Sequence, residues 1–200
     1  MVCKGQSNES IPSVKIGEQV WMSKNLDVSI FANGDLIPEA KTEHDWKTLV
    51  SLGKPAWCYY DNDSSNGKKY GRLYNWYALN DQRGLAPKGW HVAKDAEWHT
   101  LITFLGGQSL AGAVLKDRNW WALLEHFSSN KSDVGFDARP GGSLGIDFGG
   151  LTITTCWCTS AVCQFGASDI WCYTLNHNSD SVMRVSIPNS GGFSIRCIKD

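Results

Sequence analysis

The stretch Asp169-Ile-Trp-Cys-Tyr-Thr-Leu-Asn-His-Asn-Ser-Asp-Ser-Val-Met-Arg-Val-Ser-Ile187 predicts a β-hairpin late in this 200-residue chain. The residues Asn178-Ser-Asp180 are typical of a turn, and side chains on each flanking strand point alternately to opposite faces. One face then receives Trp171, Tyr173, Leu175, His177, Val182, Arg184 and Ser186. We expect Trp171, Leu175 and Val182 to be buried on this core face.

The opposite face of the hairpin is called here the predicted variable face. It carries Cys172, Thr174, Asn176, Asn178, Ser181, Met183, Val185 and Ile187. Solvent-facing strand positions are usually Thr, Lys, Glu or Arg. A requirement for solubility therefore does not explain the presence of Cys, Met, Val and Ile on this face. We expect this face to be exposed, and its mixed chemistry is typical of a diversified binding surface.

The segment around the hairpin lacks two common residue types. Residues 134–198 contain no Lys and no Glu, whereas residues 1–133 contain 12 Lys and 6 Glu. Strands disfavour both residues, which accounts for part of the depletion. Randomising the adenines of an Asn codon also never yields Lys or Glu, while Gln164 and Met183 would derive from a Lys template codon instead. The pattern therefore favours a scaffold over about residues 14–133 and a variable region within about 134–198.

Composition restricts the class of protein. A chain of 200 residues with 42% hydrophobic content predicts one domain over residues 1–200, with a sizeable core. The net charge of −1 predicts no nucleic-acid partner, and the absence of a long apolar run predicts no membrane span. The expected location is secreted or on a cell or virion surface, with Cys3 as a candidate lipid-attachment site.

Local patterns predict short helices among strands. Residues 14–22 are expected to form a hairpin and residues 61–67 a turn-rich loop. A helix is expected over residues 95–105, with Asp95 as its cap and Trp98 on its apolar side. Shorter helices are expected near residues 43–52 and 109–117.

Several motifs allow more than one interpretation. The loop 61–67 is similar to a calcium loop, but no Glu closes it at the twelfth position, so a turn is favoured. The pair Cys156-x-Cys158, together with Cys163 and Cys172, could bind a metal or form a disulfide. Trp90, Trp98 and Trp171 could stack on sugars, but core packing is favoured. We expect no resident metal, no cofactor and no catalytic residue.

The chain resembles the Fibrobacter succinogenes major paralogous domain over nearly its whole length. The resemblance rests on the residues Val14-Lys-Ile-Gly-Glu-Gln-Val-Trp-Met-Ser-Lys-Asn-Leu26, Tyr59-Tyr-Asp-Asn-Asp63, Tyr70-Gly-Arg-Leu-Tyr-Asn-Trp-Tyr-Ala78, Ala86-Pro-Lys-Gly-Trp-His-Val92, Asp95-Ala-Glu-Trp98, Gly135-Phe136, Pro140-Gly-Gly142 and Gly192-Phe-Ser-Ile-Arg-Cys197. It implies an α+β fold of C-type-lectin-like type, with short helices around a twisted antiparallel sheet. Residues 14–22 are then expected to pair with residues 193–198.

The resemblance also implies a function, because members of this family serve as variable proteins of diversity-generating retroelements. The expected function is binding of a protein or other macromolecular ligand on a cell or virus surface. The alternatives are an oxidase of the formylglycine-generating type and a calcium-dependent sugar lectin. The candidate ligand-binding residues are Ile146, Asp147, Phe148, Cys156, Cys158, Cys172, Thr174, Asn176, Asn178, Ser181, Met183, Val185 and Ile187.

Overall fold

The computed structural model describes residues 11–121, 133–163 and 168–200. In these ranges short helices alternate with strands that pair mostly antiparallel, so the fold is α+β, as predicted. The strands are β1 Ser13–Ile16, β2 Gln19–Met22, β3 Trp57–Cys58, β4 Leu73–Tyr74, β5 Trp90–Val92, β6 Gly141–Leu144, β7 Phe148–Leu151, β8 Thr154–Val162, β9 Asp169–Asn176, β10 Val182–Pro188 and β11 Cys197–Lys199. The helices are α1 Glu43–Ser51, α2 Ser64–Tyr70, α3 Trp76–Leu79, α4 Asp95–Phe104 and α5 Gln108–Leu115, with a 3₁₀ turn at Tyr60–Asn62.

The first sheet has the strand order β1-β2-β11-β5 and joins early residues to late ones. The predicted hairpin over residues 14–22 is confirmed as β1 and β2, which turn at Gly17 with φ of +60°. Glycine adopts this left-handed conformation without steric cost. Trp21 pairs with Ile198, and Leu26 N donates to Ile195 O at 2.9 Å. The expected pairing of residues 14–22 with residues 193–198 is thereby confirmed at Trp21.

The second sheet has the order β10-β9-β8-β6-β7 and contains the predicted hairpin. Strands β9 and β10 pair antiparallel from Leu175 opposite Val182 to Asp169 opposite Pro188. The hairpin predicted over residues 169–187 is therefore confirmed. Strand β8 lies beside β9 and contains a register shift between Cys158 and Val162.

The helices differ from expectation in two places. The three predicted helices are confirmed as α1, α4 and α5, but Asp95 is the first residue of α4 rather than its cap. Glu97 Oε2 instead accepts a hydrogen bond from Lys94 N at 2.7 Å. The prediction of a loop over residues 61–67 is wrong for residues 64–67, which form the first part of α2. Asp63 caps that helix by accepting from Ser65 N at 2.8 Å, since short polar side chains suit turns and helix caps equally.

An aromatic cluster lies between α4 and the second sheet. The ring of Trp98 lies 5.0 Å from those of Trp21 and Tyr173, and 5.4 Å from that of Trp157. All four side chains are buried, and burial of each large apolar side chain stabilises the fold by about 1.5–3 kcal/mol. Trp98 is therefore a core residue, as favoured from the sequence.

A buried arginine connects this cluster to both sheets. Arg196 donates to Met22 O at 2.7 Å, to Phe136 O at 2.8 Å and to Asn25 Oδ1 at 3.1 Å. The same Asn25 oxygen accepts from Trp157 Nε1 at 2.8 Å. Burial lowers the pKa of Arg196 to about 9, because removal from water disfavours the charged guanidinium. The hydrogen bonds to carbonyl oxygens offset part of that cost.

His91 on β5 links α4 to the last residue of the chain. Its Nδ1 lies 2.7 Å from Asp200 Oδ1, and its Nε2 lies 2.8 Å from Glu97 Oε1. Burial works against the protonated ring, but the hydrogen bonds to Glu97 and Asp200 outweigh it and raise the pKa of His91. The protonated form of His91 therefore stabilises the folded state.

We expect His91→Gln to lower the free energy of unfolding most at acidic pH. Because the folded-state pKa is raised, this contribution is fully present below the ordinary His pKa of about 6.5. It is lost as pH rises through the folded-state value. Urea unfolding of both proteins between about pH 5 and pH 8 measures the difference. His99→Gln, at an exposed position of α4, is the control. A difference that grows toward alkaline pH would contradict the assignment.

Candidate functional site

The two faces of the β9–β10 hairpin have different environments. On the core face Tyr173, Leu175 and Val182 are buried, and Leu175 is 0% exposed. Trp171 is only half-buried, so its expected burial is not reached. Its ring is covered instead by the guanidinium of Arg184, 3.4 Å from the ring centroid. The predicted burial of the core face is thus confirmed for Leu175 and Val182, whereas the end of the face near Trp171 is partly open to solvent.

Polar contacts attach the core face to α4. Asp95 Oδ1 accepts from Tyr173 Oη at 2.9 Å and from Arg184 Nε at 2.7 Å, while Asp95 Oδ2 accepts from Arg184 Nη2 at 3.2 Å. Burial and the neighbouring Asp95 carboxylate raise the pKa of Tyr173 well above its ordinary value. Tyr173 therefore acts as a neutral donor that positions the hairpin.

A buried lysine holds the turn of the hairpin. Lys116, just after α5, donates through Nζ to Asn176 O and to Ser179 O, each at 2.7 Å. Its side chain is 1% exposed, and burial lowers its pKa to about 8 while nearby Asp180 works in the opposite direction. The hairpin is therefore fixed at its turn by Lys116 and along its strands by Asp95.

Three of the candidate ligand-binding residues are cysteines that are buried, and the expected exposure of Cys172 on the predicted variable face is therefore wrong. Cys156, Cys158 and Cys172 belong to a hydrophobic cluster with Tyr74 and Phe193. The physical reason is that β8 and the adjoining side of β9 lie inside the sheet, where this cluster covers them. Burial raises the pKa of the Cys156 thiol well above its ordinary value.

A disulfide joins Cys158 to Cys172, which are direct partners on neighbouring strands. The sulfur of Cys156 lies within 4.8 Å of both, so these three residues form the candidate metal-ligand group among the described residues. Because two of the sulfurs are bonded to each other, Cys156 alone retains a thiol there. Cys163 is also buried with a free thiol.

The remaining positions of the predicted variable face are accessible to different degrees. Met183 is 53% exposed, and Asn178 at the turn is exposed. The partly exposed positions are Thr174, Asn176, Ser181, Val185 and Ile187. Val185 and Ile187 also pack against the cluster that covers the cysteines. The accessible part of the face therefore follows β10, the strand at the edge of the sheet. Its role in ligand binding stays a prediction.

The other candidate residues lie at the opposite edge of the same sheet. Ile146 and Asp147 form the turn between β6 and β7, and Phe148 begins β7. Four strand spacings of about 4.8 Å separate β7 from β10, or roughly 19 Å. The three residues line an apolar cavity of about 450 Å³ together with residues of α1.

Sequence reasoning missed the contacts that hold these surfaces in place. The sequence indicates Asp95 only as a helix cap, and it gives no indication of a role for Lys116. Lys116 gives no local signal in the sequence. Its partners are main-chain oxygens 60 and 63 residues later in the chain. Trp46 of α1 is a wall of the cavity, and the sequence predicts only a short helix near residues 43–52 at that position.

The chain matches the model of the Fibrobacter succinogenes major domain over residues 14–199 and belongs to this family. No curated protein and no solved structure matches it. Among the described residues, no helix is both long enough and apolar enough to cross a membrane.

We expect Leu175→Ala to lower the free energy of unfolding by about 2–5 kcal/mol, because it leaves a cavity in the core. Met183→Ala should change the same quantity by less than about 0.5 kcal/mol, because its side chain faces solvent. The two residues lie on the same hairpin, so each is the control for the other. Equal losses in chemical denaturation would show that the faces are misassigned.

Cys172→Ala should destabilise the oxidised protein by about 3 kcal/mol, since the disulfide joins two residues 14 positions apart and so restricts the unfolded chain. Most of this difference should disappear when both proteins unfold in reductant. Cys163→Ala, which removes a buried free thiol, is the matched control and should respond little to reductant. A Cys172→Ala effect that is independent of reductant would argue against the disulfide.

Proposed function

We propose that this protein is the ligand-binding variable protein of a diversity-generating retroelement. In this proposal a C-type-lectin-like scaffold stays fixed, while accessible residues of β9 and β10 vary and contact a macromolecular ligand on a cell or virus surface. The observation that carries the proposal is the asymmetry of the hairpin. Its core face is anchored by Asp95 and Lys116, and its edge strand presents Met183 to solvent.

The composition of the accessible positions supports binding. Thr174, Met183, Val185 and Ile187 combine hydroxyl, thioether and branched aliphatic side chains, and none of them ionises near neutral pH. Such a set suits recognition by shape and apolar contact, while general acid–base catalysis needs titratable groups at fixed positions. The hairpin also lies inside the segment that has no Lys and no Glu.

Family membership and strand order support the scaffold part of the proposal. The pairing of β2 with β11 joins residues near both limits of the matched range 14–199. A rigid frame with a variable surface is the arrangement by which paratopes change specificity without refolding.

Other features give less support to the two alternative functions. An oxidase of the formylglycine-generating type would need reactive thiols, but Cys158 and Cys172 form a disulfide and the Cys156 thiol is buried with a raised pKa. A calcium-dependent lectin would need free carboxylates in the loop 61–67, but Asp63 caps α2 through Ser65 N and Ser65 Oγ.

The decisive test of the retroelement is the DNA around the gene. We expect a neighbouring reverse-transcriptase gene and a near-copy of the segment that encodes residues 134–198. The two copies should differ mainly where the near-copy has adenine. A flanking region without a reverse transcriptase, or with differences spread over all four bases, would contradict the proposal.

Binding is tested separately with two displayed libraries on the same hairpin. One randomises Thr174, Met183, Val185 and Ile187, and the control randomises Tyr173, Leu175, Val182 and Arg184 on the core face. We expect most members of the first library to fold and some to bind hen lysozyme, used as an arbitrary protein target. Most members of the control library should fail to fold, because they lose buried contacts. Equal folding fractions, or no binder in the first library, would count against the proposed face.

A further inference from the structure

The cavity beside α1 has walls that are fixed by the protein itself. Trp46 Nε1 donates to Ser190 O at 3.0 Å, which holds the indole ring in place. Gly192 lies so close to this ring that an added Cβ would sit 2.8 Å from it. On the other side, the ring of Tyr60 lies 5.1 Å from the ring of Phe148. A preformed cavity needs little reorganisation to accept a ligand.

The interior of the cavity is mainly apolar and has the size of a small-molecule site. Trp46, Val50, Leu144 and Phe148 line it, and Ile146 stands at its mouth with 86% of its surface exposed. The volume of about 450 Å³ lies within the range of roughly 300–1,000 Å³ that is usual for small ligands. It corresponds to about 15 water volumes of about 30 Å³ each.

The charges at the mouth favour a cation. The charged side chains that line the cavity are Glu43, Lys47 and Asp147. Lys47 forms an ion pair with Glu43 one turn away on α1 and also attracts Asp147, so the three charges at the mouth sum to −1. The positive end of α1 is already engaged, because Thr42 Oγ1 accepts from Asp45 N at 3.1 Å and the first turn carries Glu43 and Asp45.

We propose that this cavity binds a small arylalkylamine, with its ring between Trp46 and Phe148 and its ammonium group beside Asp147. An aromatic ring matches the aromatic walls, and the ammonium group matches the net negative mouth. This site goes beyond the proposed function, because it lies at the edge of the sheet remote from β10. It requires no variation of the hairpin.

The test compares three indoles by isothermal titration calorimetry on the whole chain: tryptamine, neutral indole and indole-3-propionate. The ring is the same in all three, and the charge of the side chain changes from positive to absent to negative. We expect saturable binding of tryptamine, weaker binding of indole and the weakest binding of indole-3-propionate. Absence of saturable tryptamine binding, or equal affinity for the two charged ligands, would overturn the proposal.

A charge reversal locates the site. Asp147→Lys, at an exposed position, should weaken tryptamine binding about fivefold, as expected for loss of one exposed ion pair, and should strengthen binding of indole-3-propionate. Glu18→Lys makes the same change of total charge on the β1–β2 turn, away from the cavity, and should leave both affinities unchanged. Equal effects of the two substitutions would overturn the assignment to this cavity.

Exchange of the four hairpin positions Thr174, Met183, Val185 and Ile187 should leave tryptamine binding intact. The two proposals therefore fail separately. Loss of tryptamine binding in a hairpin variant that remains folded by circular dichroism would overturn the proposal that the cavity is an independent site.

Discussion

The fold depends on the half-buried side-chain amide of Asn25. Its oxygen accepts from Trp157 Nε1 and from Arg196, while its nitrogen donates to Tyr70 O at 2.9 Å and to Ser194 Oγ at 3.2 Å. These partners come from three separate parts of the chain, near residues 70, 157 and 194–196. A buried polar group without partners costs about 1–3 kcal/mol, so the network is stable only when all the parts are assembled together. It thereby favours one arrangement of the two sheets over alternatives with equal apolar burial.

In the larger sheet, the central strands are covered on both faces, whereas the edges are partly open to solvent. At the centre, β8 and β9 are covered on both faces, by the aromatic cluster around Trp98 on one side and by the cluster around Phe193 on the other. At the edges, β10 and the β6–β7 turn have one side open to solvent. The accessible positions of the sheet therefore lie on its margins, where a substitution disturbs few neighbours.

Much of the fold follows from local patterns. Period-two alternation identified the hairpin, and helical periodicity identified α1, α4 and α5, because these signals depend only on near neighbours. Local patterns could not predict whether Cys172 is buried or exposed. Alternation assigns a residue to a face, but whether that face is covered depends on distant residues such as Tyr74 and Phe193. The cavity could not be predicted for the same reason, since Trp46 and Phe148 are about 100 positions apart in the sequence.

The contact between Lys116 and the hairpin turn has an evolutionary consequence. Its ammonium group donates to two main-chain carbonyl oxygens, which every amino acid possesses, and the Asp180 carboxylate adds an electrostatic attraction. Residues 176–179 can therefore change while these two hydrogen bonds persist, provided that the backbone keeps its path. Such a contact keeps the conformation of the turn while its side chains change, so one scaffold can carry many different turn sequences.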